Sequence, residues 1–346
     1  VADALGDVVL GLQRIVDWRE PDVDVAVEEV AATVDMGDVR GQPVARRAAE
    51  VAAAGGHNLL LVGGPGGGKT MLAERIAGLL PPLDGHDALT ATMIRSAAGQ
   101  RLGGLMRLPP FRAPHHSVSM IAMVGGGSGV VRPGEVSLAH GGVLFLDEVG
   151  EFAPSVLDAL RQPLESGEIR LARSGVTITL PARFLLVGAT NPCPCGGGAP
   201  GSCVCNDAAR QRYLRRLSGP LLDRFDLRVA VAATSPADLV DTGPAESTAE
   251  MRSRVDAARC IADARQGKSN ARLSIAELDE HAPLSVEARA LLLTELEAGR
   301  LTGRGYHRVR RVARTLGDLA GDRSDTVGVD HVHEAIALRA RVGGAR

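Results

Sequence analysis

The fold of this chain is decided by residues 59–72, which read LLLVGGPGGGKTML. The apolar run predicts a buried strand, a glycine-rich elbow follows it, and a helical pattern begins near Lys69 and stops before Pro81. Residues 63–70 match G-x-x-x-x-G-K-[ST] between a strand and a helix, which is the context that makes this spacing informative. The stretch therefore predicts a loop that binds the phosphates of a nucleotide.

The residue types of this loop suit a triphosphate. Glycines let the backbone curl until its N–H groups face phosphate oxygens at the positive end of the following helix. Only two of the 39 basic residues are lysines, and Lys69 stands where a compact, mobile charge can reach the β- and γ-phosphates. A turn without function is the alternative in a chain with 42 glycines. The predicted nucleotide contacts are Gly63, Gly64, Pro65, Gly66, Gly67, Gly68, Lys69, Thr70 and Met71.

A second polar pair, Asp147 and Glu148, follows the apolar run GVLFL. In a nucleotide-hydrolysing sheet this strand end lies beside the phosphate loop. We therefore expect Thr70 and Asp147 to hold Mg²⁺, and Glu148 to orient or deprotonate the attacking water. A pair of carboxylates that caps the next helix is the alternative interpretation.

Composition limits the class of protein. The 346 residues carry a formal net charge of −2, so any contact with a polyanion must be local. Aromatic residues make up 2%, which argues against broad base-stacking surfaces. No apolar run approaches the roughly 18–20 residues that span a bilayer, and the N-terminus lacks a secretory signal pattern. We predict a cytoplasmic protein without a membrane partner.

Strand and helix patterns alternate along the first two thirds of the chain. Apolar strands are predicted within 142–148 and 183–191, with a helix at 154–166 and a hairpin at 168–182 between them. Such alternation predicts an α/β fold with a parallel sheet and crossover connections. Residues 233–247 are linker-like, and the remainder has helical patterns.

The long motifs together resemble the magnesium-chelatase-like AAA+ ATPases, most of all the ComM/YifB type. The resemblance rests on GHNLLLVGGPGGGKTMLAERIAGLLPPL, FRAPHHSVSMIAMVGGGSGVVRPGEVSLAHGGVLFLDE, GATNPCPCG and GPLLDRFDL, which occur in this order. It implies a P-loop AAA+ three-layer sandwich at 34–232, with helix-2 and pre-sensor hairpin insertions, and a C-terminal α-helical lid at 248–346. Residues 1–33 would be the remnant of a preceding Lon-like domain.

The resemblance also implies individual roles. The segment DVRGQ, which ends at Gln42, would close over the adenine, and Asn191 would be the polar sensor of the γ-phosphate or attacking water. Arg224 would be the arginine finger presented to a neighbouring subunit's nucleotide. Arg304 would be the second sensor arginine of the lid, with Arg308 as the alternative. A guanidinium offsets charge on the transferring phosphoryl group, whereas a surface ion pair is the other interpretation of either arginine.

A finger supplied by a neighbour requires a homo-oligomer, and the family implies a ring, commonly a hexamer. Two insertions would face its channel: residues 117–142, with Arg132, and the hairpin around Arg170 and Arg173. Arg173 could contact DNA phosphates without reading bases. A solvated turn charge is the alternative there.

Three functions follow from these expectations, all with ATP and Mg²⁺ as cofactors. The first is a ring-forming ATPase motor acting on DNA, a helicase or branch-migration factor in natural transformation and recombination. The second is the ATPase subunit of a magnesium chelatase, and the third is a nucleotide-switch chaperone. The intact phosphate loop and both acidic residues argue against the third.

Four cysteines fall within thirteen residues, and four thiolates suit a closed tetrahedral Zn²⁺ site. Their spacing departs from the usual pairs with two to four intervening residues, so free thiols and a redox or iron–sulfur role stay open. These candidate ligands are Cys193, Cys195, Cys203 and Cys205.

Two further features invite a structural interpretation. Cys260 stands alone on a predicted helix, where we expect it in the core. His115 and His116 are adjacent, and without a matching ligand set nearby in sequence we expect a structural or subunit-contact role.

Overall fold

The computed structural model describes residues 34–127, 131–173, 176–197, 203–206, 208–209, 212–213, 219–232 and 245–340. The expected N-terminal remnant at 1–33, the hairpin tip at 174–175 and linker residues 233–244 lie outside the described residues. Nine strands are described: β1 Leu59–Val62, β2 Phe111–Arg112, β3 Gly125–Gly126, β4 Arg132–Pro133, β5 Val143–Leu146, β6 Glu168–Arg173, β7 Val176–Pro181, β8 Leu185–Thr190 and β9 Leu227–Ala230.

The central sheet has five parallel strands in the order β2-β5-β8-β1-β9. In its centre Leu59 of β1 lies opposite Val187 of β8 on one side and Leu227 of β9 on the other. The carboxyl ends of β1, β5 and β8 therefore meet at one edge. That edge is where ligands bind in open parallel sheets.

Thirteen helices accompany these strands within the described residues. They are α1 Pro43–Gly55, α2 Lys69–Leu79, α3 Gly85–Ala97, α4 Met120–Val124, α5 Glu135–Leu138, α6 Pro154–Ala159, α7 Arg161–Ser166, α8 Gly219–Leu222, α9 Thr248–Gln266, α10 Ile275–His281, α11 Val286–Glu297, α12 Gly303–Leu319 and α13 Val329–Ala337.

Side chains that alternate between the two faces of each strand produce the three layers. Leu59 and Leu61 belong to a buried cluster with α1 and α2, whereas Leu60 belongs to a second cluster on the opposite face. Because strand side chains alternate between faces, every residue of β1 is used for one layer or the other. The three-layer α/β sandwich predicted from the sequence is confirmed.

The first helix follows its sequence signals closely. Pro43 occupies its first turn, where a missing N–H costs nothing, and the helix ends at Gly56 with φ of 71°. This left-handed residue turns the chain back into β1. The helix therefore begins and ends at residues whose types favour those two positions.

The C-terminal region is helical from α9 onward, as predicted, and continues the core of the sandwich. Helix α12 packs against α9, α13 and α1. Buried Val309, Val312 and Leu316 of α12 share one hydrophobic cluster with α1 and β1. Burial on this scale ties the helical region to one face of the sheet.

The prediction of one continuous helix at 154–166 is wrong. Residues 154–166 form two short helices, α6 and α7, that meet at Leu160. Pro163 has no N–H to donate to the carbonyl of Ala159, which removes the bond that would join the two. The predicted hairpin is confirmed as the β6–β7 ladder, which pairs Glu168 with Pro181.

Within the part of the chain that the structure describes, no helix combines the length and apolar character needed to cross a bilayer. The cytoplasmic location stays a prediction.

Candidate nucleotide site

The phosphate loop takes backbone conformations that only glycine adopts easily. Gly66 and Gly68 have φ of 75° and 78°. At Gly63 a Cβ atom would lie 2.3 Å from the carbonyl oxygen of Val231, so this position excludes any side chain. The glycines are thus required by the curl itself, which opens into the N-terminus of α2.

Lys69 lies folded over its own loop. Its Nζ donates to the carbonyl oxygens of Gly63 and Gly64, each at 2.7 Å, and lies 3.4 Å from Oδ1 of Asn191. Burial lowers the pKa of Lys69, while the charges of Asp147 and Glu148 oppose this shift. The ammonium is therefore held ready by neutral acceptors that an anionic phosphate can replace.

Thr70 and Asp147 come together as predicted. The Thr70 hydroxyl donates to Oδ2 of Asp147 at 2.8 Å, and both side chains are accessible to solvent. Oδ1 of Asp147 accepts the backbone N–H of Glu148 at 3.0 Å, which fixes the carboxylate plane. A hydroxyl and a carboxylate facing water are the oxygen donors that Mg²⁺ takes while keeping most of its waters.

Glu148 has an unusual backbone. Its φ and ψ are both 52°, and among the described residues it alone combines a positive φ with a side chain. Its side chain is exposed. A non-glycine residue in this region costs about 1–2 kcal/mol, and such strain is concentrated at functional sites.

Tyr213 is a neighbour of the site that the sequence did not indicate. Its hydroxyl lies 3.1 Å from Oγ1 of Thr190, the last residue of β8, and its ring packs near Gly150. Burial raises the pKa of Tyr213. The ring thus links the segment after Glu148 to the strand that presents Asn191. No local motif marks this tyrosine.

Gln42 lies beside the loop, and not in open solvent. Its Nε2 donates to the carbonyl of Ala232 at 2.6 Å. That carbonyl also lies 3.4 Å from a Cβ placed on Gly67. A cavity of about 670 Å³ opens next to it and includes residues 39–43 and Met251 in its lining. The segment expected to close over adenine therefore borders this cavity, whose lining is rich in arginine and glutamate side chains and includes no residue of the phosphate loop.

The arginines form a separate group. Arg224 pairs with Glu165 of α7, and Nη1 of Arg304 lies 3.6 Å from Oδ2 of Asp223. Burial lowers the pKa of Arg224, and nearby Arg308 and Arg304 add to the shift. Three guanidinium groups thus lie close together, and each has one carboxylate partner: Glu165, Asp223 or Asp226.

Arg304 and Arg308 differ in what they can reach. Arg308 is nearly buried and donates to Oδ1 of Asp226 at 3.0 Å, and that carboxyl also faces His57. The side chain of Arg304 is 75% exposed and only loosely paired. Arg304 is therefore accessible to a ligand, whereas Arg308 has a nearly buried carboxylate partner.

The cysteine cluster is compact. Its four Sγ atoms all lie within 4.8 Å of one another, and three measured separations are 3.4, 3.5 and 3.7 Å. Four sulfurs bound to one zinc at about 2.3 Å would be roughly 3.8 Å apart. Backbone N–H groups of Gly197 and Val204 lower the pKa of Cys195 to about 6, whereas the Cys195 side chain raises the pKa of Cys205 to about 11. The set fits a tetrahedral metal.

Two expectations about other residues have different outcomes. Cys260 is exposed, so its predicted place in the core is wrong. The buried residues of α9 are Met251, Val255, Ala258 and Ala262, and Cys260 falls between the last two, off the apolar stripe. The ring centroids of His115 and His116 lie 4.0 Å apart with the planes tilted by 36°, and neither residue joins a metal-ligand group among the described residues.

Comparison with known protein families identifies the family to which this chain belongs. A family model described as magnesium chelatase, subunit ChlI, matches residues 35–239, and its C-terminal counterpart matches residues 245–339. The chain belongs to the magnesium chelatase ChlI family. Proteins of this family are AAA+ proteins of the ATPase type, which agrees with the phosphate loop, the strand order and the helical C-terminal region.

Individual relatives support the same family assignment. The chain is 50% identical over 321 residues to an uncharacterised Mycobacterium tuberculosis protein, covering 91% of this chain and 63% of that one. It is 47% identical to YifB of Escherichia coli over 88% of this chain and 60% of the relative. It is 45% identical to competence protein ComM of Haemophilus influenzae over 90% and 61%. The chain thus spans about three fifths of the length of these relatives, and its resemblance to the ComM/YifB type is confirmed.

Proposed function

We propose that this ChlI-family protein hydrolyses ATP with Mg²⁺ and uses the energy in a ring-forming motor. The observation that carries the proposal is the meeting of Lys69, Thr70, Asp147 and Asn191 at one sheet edge, with Lys69 held by loop carbonyls 2.7 Å away. Mg²⁺ held by Thr70 and Asp147 would neutralise charge on the β- and γ-phosphates.

The chain's own residues then divide the work of hydrolysis. Lys69 leaves the carbonyls of Gly63 and Gly64 for phosphate oxygens as ATP enters. Glu148, exposed at the strand end, orients the attacking water and accepts its proton. Asn191, already 3.4 Å from Lys69, donates to the γ-phosphate or the water.

We propose that two arginines of one protomer serve the neighbour's nucleotide together. Because Arg304 lies 3.6 Å from the carboxylate of Asp223, next to Arg224 in sequence, both guanidinium groups belong to one face. If Arg224 reaches the nucleotide of an adjacent subunit, Arg304 reaches the same one. An interface between unlike faces closes into a ring when its rotation divides a full turn, and a hexamer is the form proposed.

The proposed load is DNA, through the insertions that the ring would point into its channel. Exposed Arg132 in β4 and half-exposed Leu171 in the β6–β7 hairpin belong to these insertions. The name of the ComM relative connects that protein with competence, which supports a role in DNA uptake and recombination.

A second candidate rests on a different relative. Over 131 residues the chain is 34% identical to the magnesium-chelatase 38 kDa subunit of Cereibacter sphaeroides, covering 38% of this chain and 31% of that one. A motor that drives metal insertion through partner subunits would use the same ATP site.

The two candidates separate in one assay. ATP turnover is measured alone and with single-stranded, forked and D-loop DNA at several salt concentrations. The DNA motor predicts stimulation that weakens as salt rises, because phosphate contacts release counterions. Turnover that ignores every DNA but rises with chelatase subunits would favour the second candidate.

We propose structural zinc for the cysteine cluster. The sulfur separations support it, and a buried Cys193 beside three more accessible thiols gives the metal a protected side. Metal analysis of the purified protein should find one zinc per chain, and Cys203→Ser should lose it. Equal zinc in both proteins would contradict the assignment.

A further inference from the structure

The cysteine cluster touches the phosphate loop. Gly196, next to Cys195, has φ of 74°, and a Cβ placed on it would lie 2.7 Å from Cδ of Pro65. From the other side, a Cβ on Gly64 would lie 3.0 Å from the carbonyl oxygen of Gly196. A side chain at Gly196 would press on the ring of Pro65, and one at Gly64 would press on the Gly196 carbonyl, so the two segments pack closely.

The segment that contains Gly196 also contacts the nucleotide site through Asn191. Asn191 lies two residues before Cys193, and its Oδ1 is 3.4 Å from the ammonium of Lys69. The N–H of Gly196 donates to the carbonyl of Cys193 at 3.0 Å, which closes the turn between the two contacts. Residues 191–196, here called the sensor turn, therefore meet the phosphate loop at both ends and carry two cysteines of the cluster in between.

We propose that metal binding at the cysteine cluster and nucleotide binding at the phosphate loop are thermodynamically coupled through the contact of Gly196 with Pro65. The inference rests on the proposed nucleotide and zinc sites. A metal joins Cys193 and Cys195 to Cys203 and Cys205, eight or more residues further on, and so restricts the conformations of the sensor turn. A restricted turn keeps the loop in the curl that phosphates need.

The size and sign of the coupling follow from linkage. Typical couplings between two sites change affinity by roughly 5- to 150-fold, and each ligand must affect the other by the same factor. Here the contact is direct and involves backbone, so we expect about tenfold tighter nucleotide binding with metal present. Bound nucleotide must then slow the escape of the metal.

The experiment measures both directions. Binding of fluorescent mant-ADP is titrated with excess Mg²⁺, in zinc-loaded protein and in protein treated with the zinc-selective chelator TPEN. Zinc release to a chromophoric chelator is timed with and without saturating ADP. The coupling predicts about tenfold weaker ADP binding after zinc removal, and slower zinc release when ADP is bound.

Two variants isolate the contact. Pro65→Ala removes the ring that meets Gly196, so the ADP affinity of this variant should become insensitive to zinc, whatever its own value. Gly196→Ala should keep one zinc per chain and still bind ADP more weakly, because the added methyl pushes on Pro65. Circular dichroism checks folding, and if zinc-free protein unfolds, zinc-loaded Gly196→Ala decides the question.

The outcomes distinguish the coupling from the functions on which it rests. One zinc per chain with equal ADP affinity before and after its removal overturns the coupling and leaves both sites standing. Zinc-loaded, folded protein that binds no ADP overturns the proposed function itself. Protein that takes up no zinc overturns the metal site and the coupling together.

Discussion

At the residue scale, the charged side chains of the site form hydrogen bonds with neutral partners. Lys69 rests on carbonyl oxygens, Asp147 on a hydroxyl and an N–H, and Asn191 faces Lys69. None of these contacts is an ion pair that a nucleotide would have to break. An anionic phosphate therefore gives Lys69 a strong charged partner in place of neutral ones, and Mg²⁺ would do the same for Asp147.

Lys69→Ala should abolish tight nucleotide binding. Removing one partner of a charged, partly buried contact costs about 2–5 kcal/mol, which is a loss of roughly 30-fold or more in affinity. Isothermal titration with ATP and Mg²⁺ measures it. The matched control is Lys268→Ala, since Lys268 is the other lysine and pairs with Glu277 in the helical region. Unchanged affinity in Lys69→Ala would contradict the site.

Two substitutions of Glu148 should separate its effect on catalysis from its effect on the stability of the fold. Glu148→Gln should keep ATP binding and lower kcat by about 10²–10³, because the base is lost and the shape remains. Glu148→Asn should lose the same activity but raise the free energy of unfolding by about 0.5–1 kcal/mol, since asparagine tolerates the left-handed backbone better. Denaturant unfolding compares both with wild type. A less stable Glu148→Asn would show that the strain is not stored here.

At the element scale, the helical region is held by a buried charge as well as by apolar packing. Asp318 of α12 is 1% exposed and accepts from Arg265 at 2.7 and 2.8 Å and from Asn270 at 2.7 Å. Arg314, one turn earlier on α12, faces the same carboxylate at 3.3 Å. This network joins α9, α12 and the turn between α9 and α10.

Asp318→Ala should destabilise the protein by about 3–5 kcal/mol, because it leaves two arginines without their buried carboxylate. Thermal unfolding measures the effect. Arg252→Ala, which breaks the more exposed pair with Asp256 on α9, is the control and should cost less than about 0.5 kcal/mol. Equal effects of the two changes would show that the network carries no special stability.

The start of α10 should give stability that depends on pH. The Lys268 ammonium and the Ser274 cap lower the pKa of Glu277 to about 2. A carboxyl with a lowered folded pKa stabilises the fold above its unfolded pKa, and this contribution is lost as pH falls toward about 2. In Lys268→Ala the pKa of Glu277 should rise, as followed by NMR titration. An unchanged pKa would assign the shift to the cap alone.

Elements were predictable where one local rule decided them. The glycines and Lys69 fixed the strand, loop and helix at 59–79, and apolar runs located β5 and β8. Cys260 was misplaced because its burial depends on its position relative to the apolar stripe of α9. The break within 154–166 was missed although Pro163 is a local signal for it. Tyr213 was missed because its role arises only from folding, which carries it back to Thr190.

At the scale of the whole molecule, the residues proposed for catalysis form two separate groups. The phosphate loop, the strand ends and the sensor turn lie at one edge of the sheet, whereas Arg224, Arg304 and Asp223 form another group. Within one chain Arg224 pairs with Glu165 and not with the loop. We therefore propose that a complete site needs two chains, and this is the central claim of the proposed mechanism.

The most direct test is the ATPase rate of an equal mixture of Lys69→Ala and Arg224→Ala proteins, each inactive alone. In a randomly mixed ring, about one interface in four pairs an intact Lys69 with an intact Arg224 across the boundary. The mixture should therefore recover roughly a quarter of the wild-type rate. A mixture as inactive as its two components, in a preparation that forms mixed oligomers, would contradict catalysis by residues from two chains.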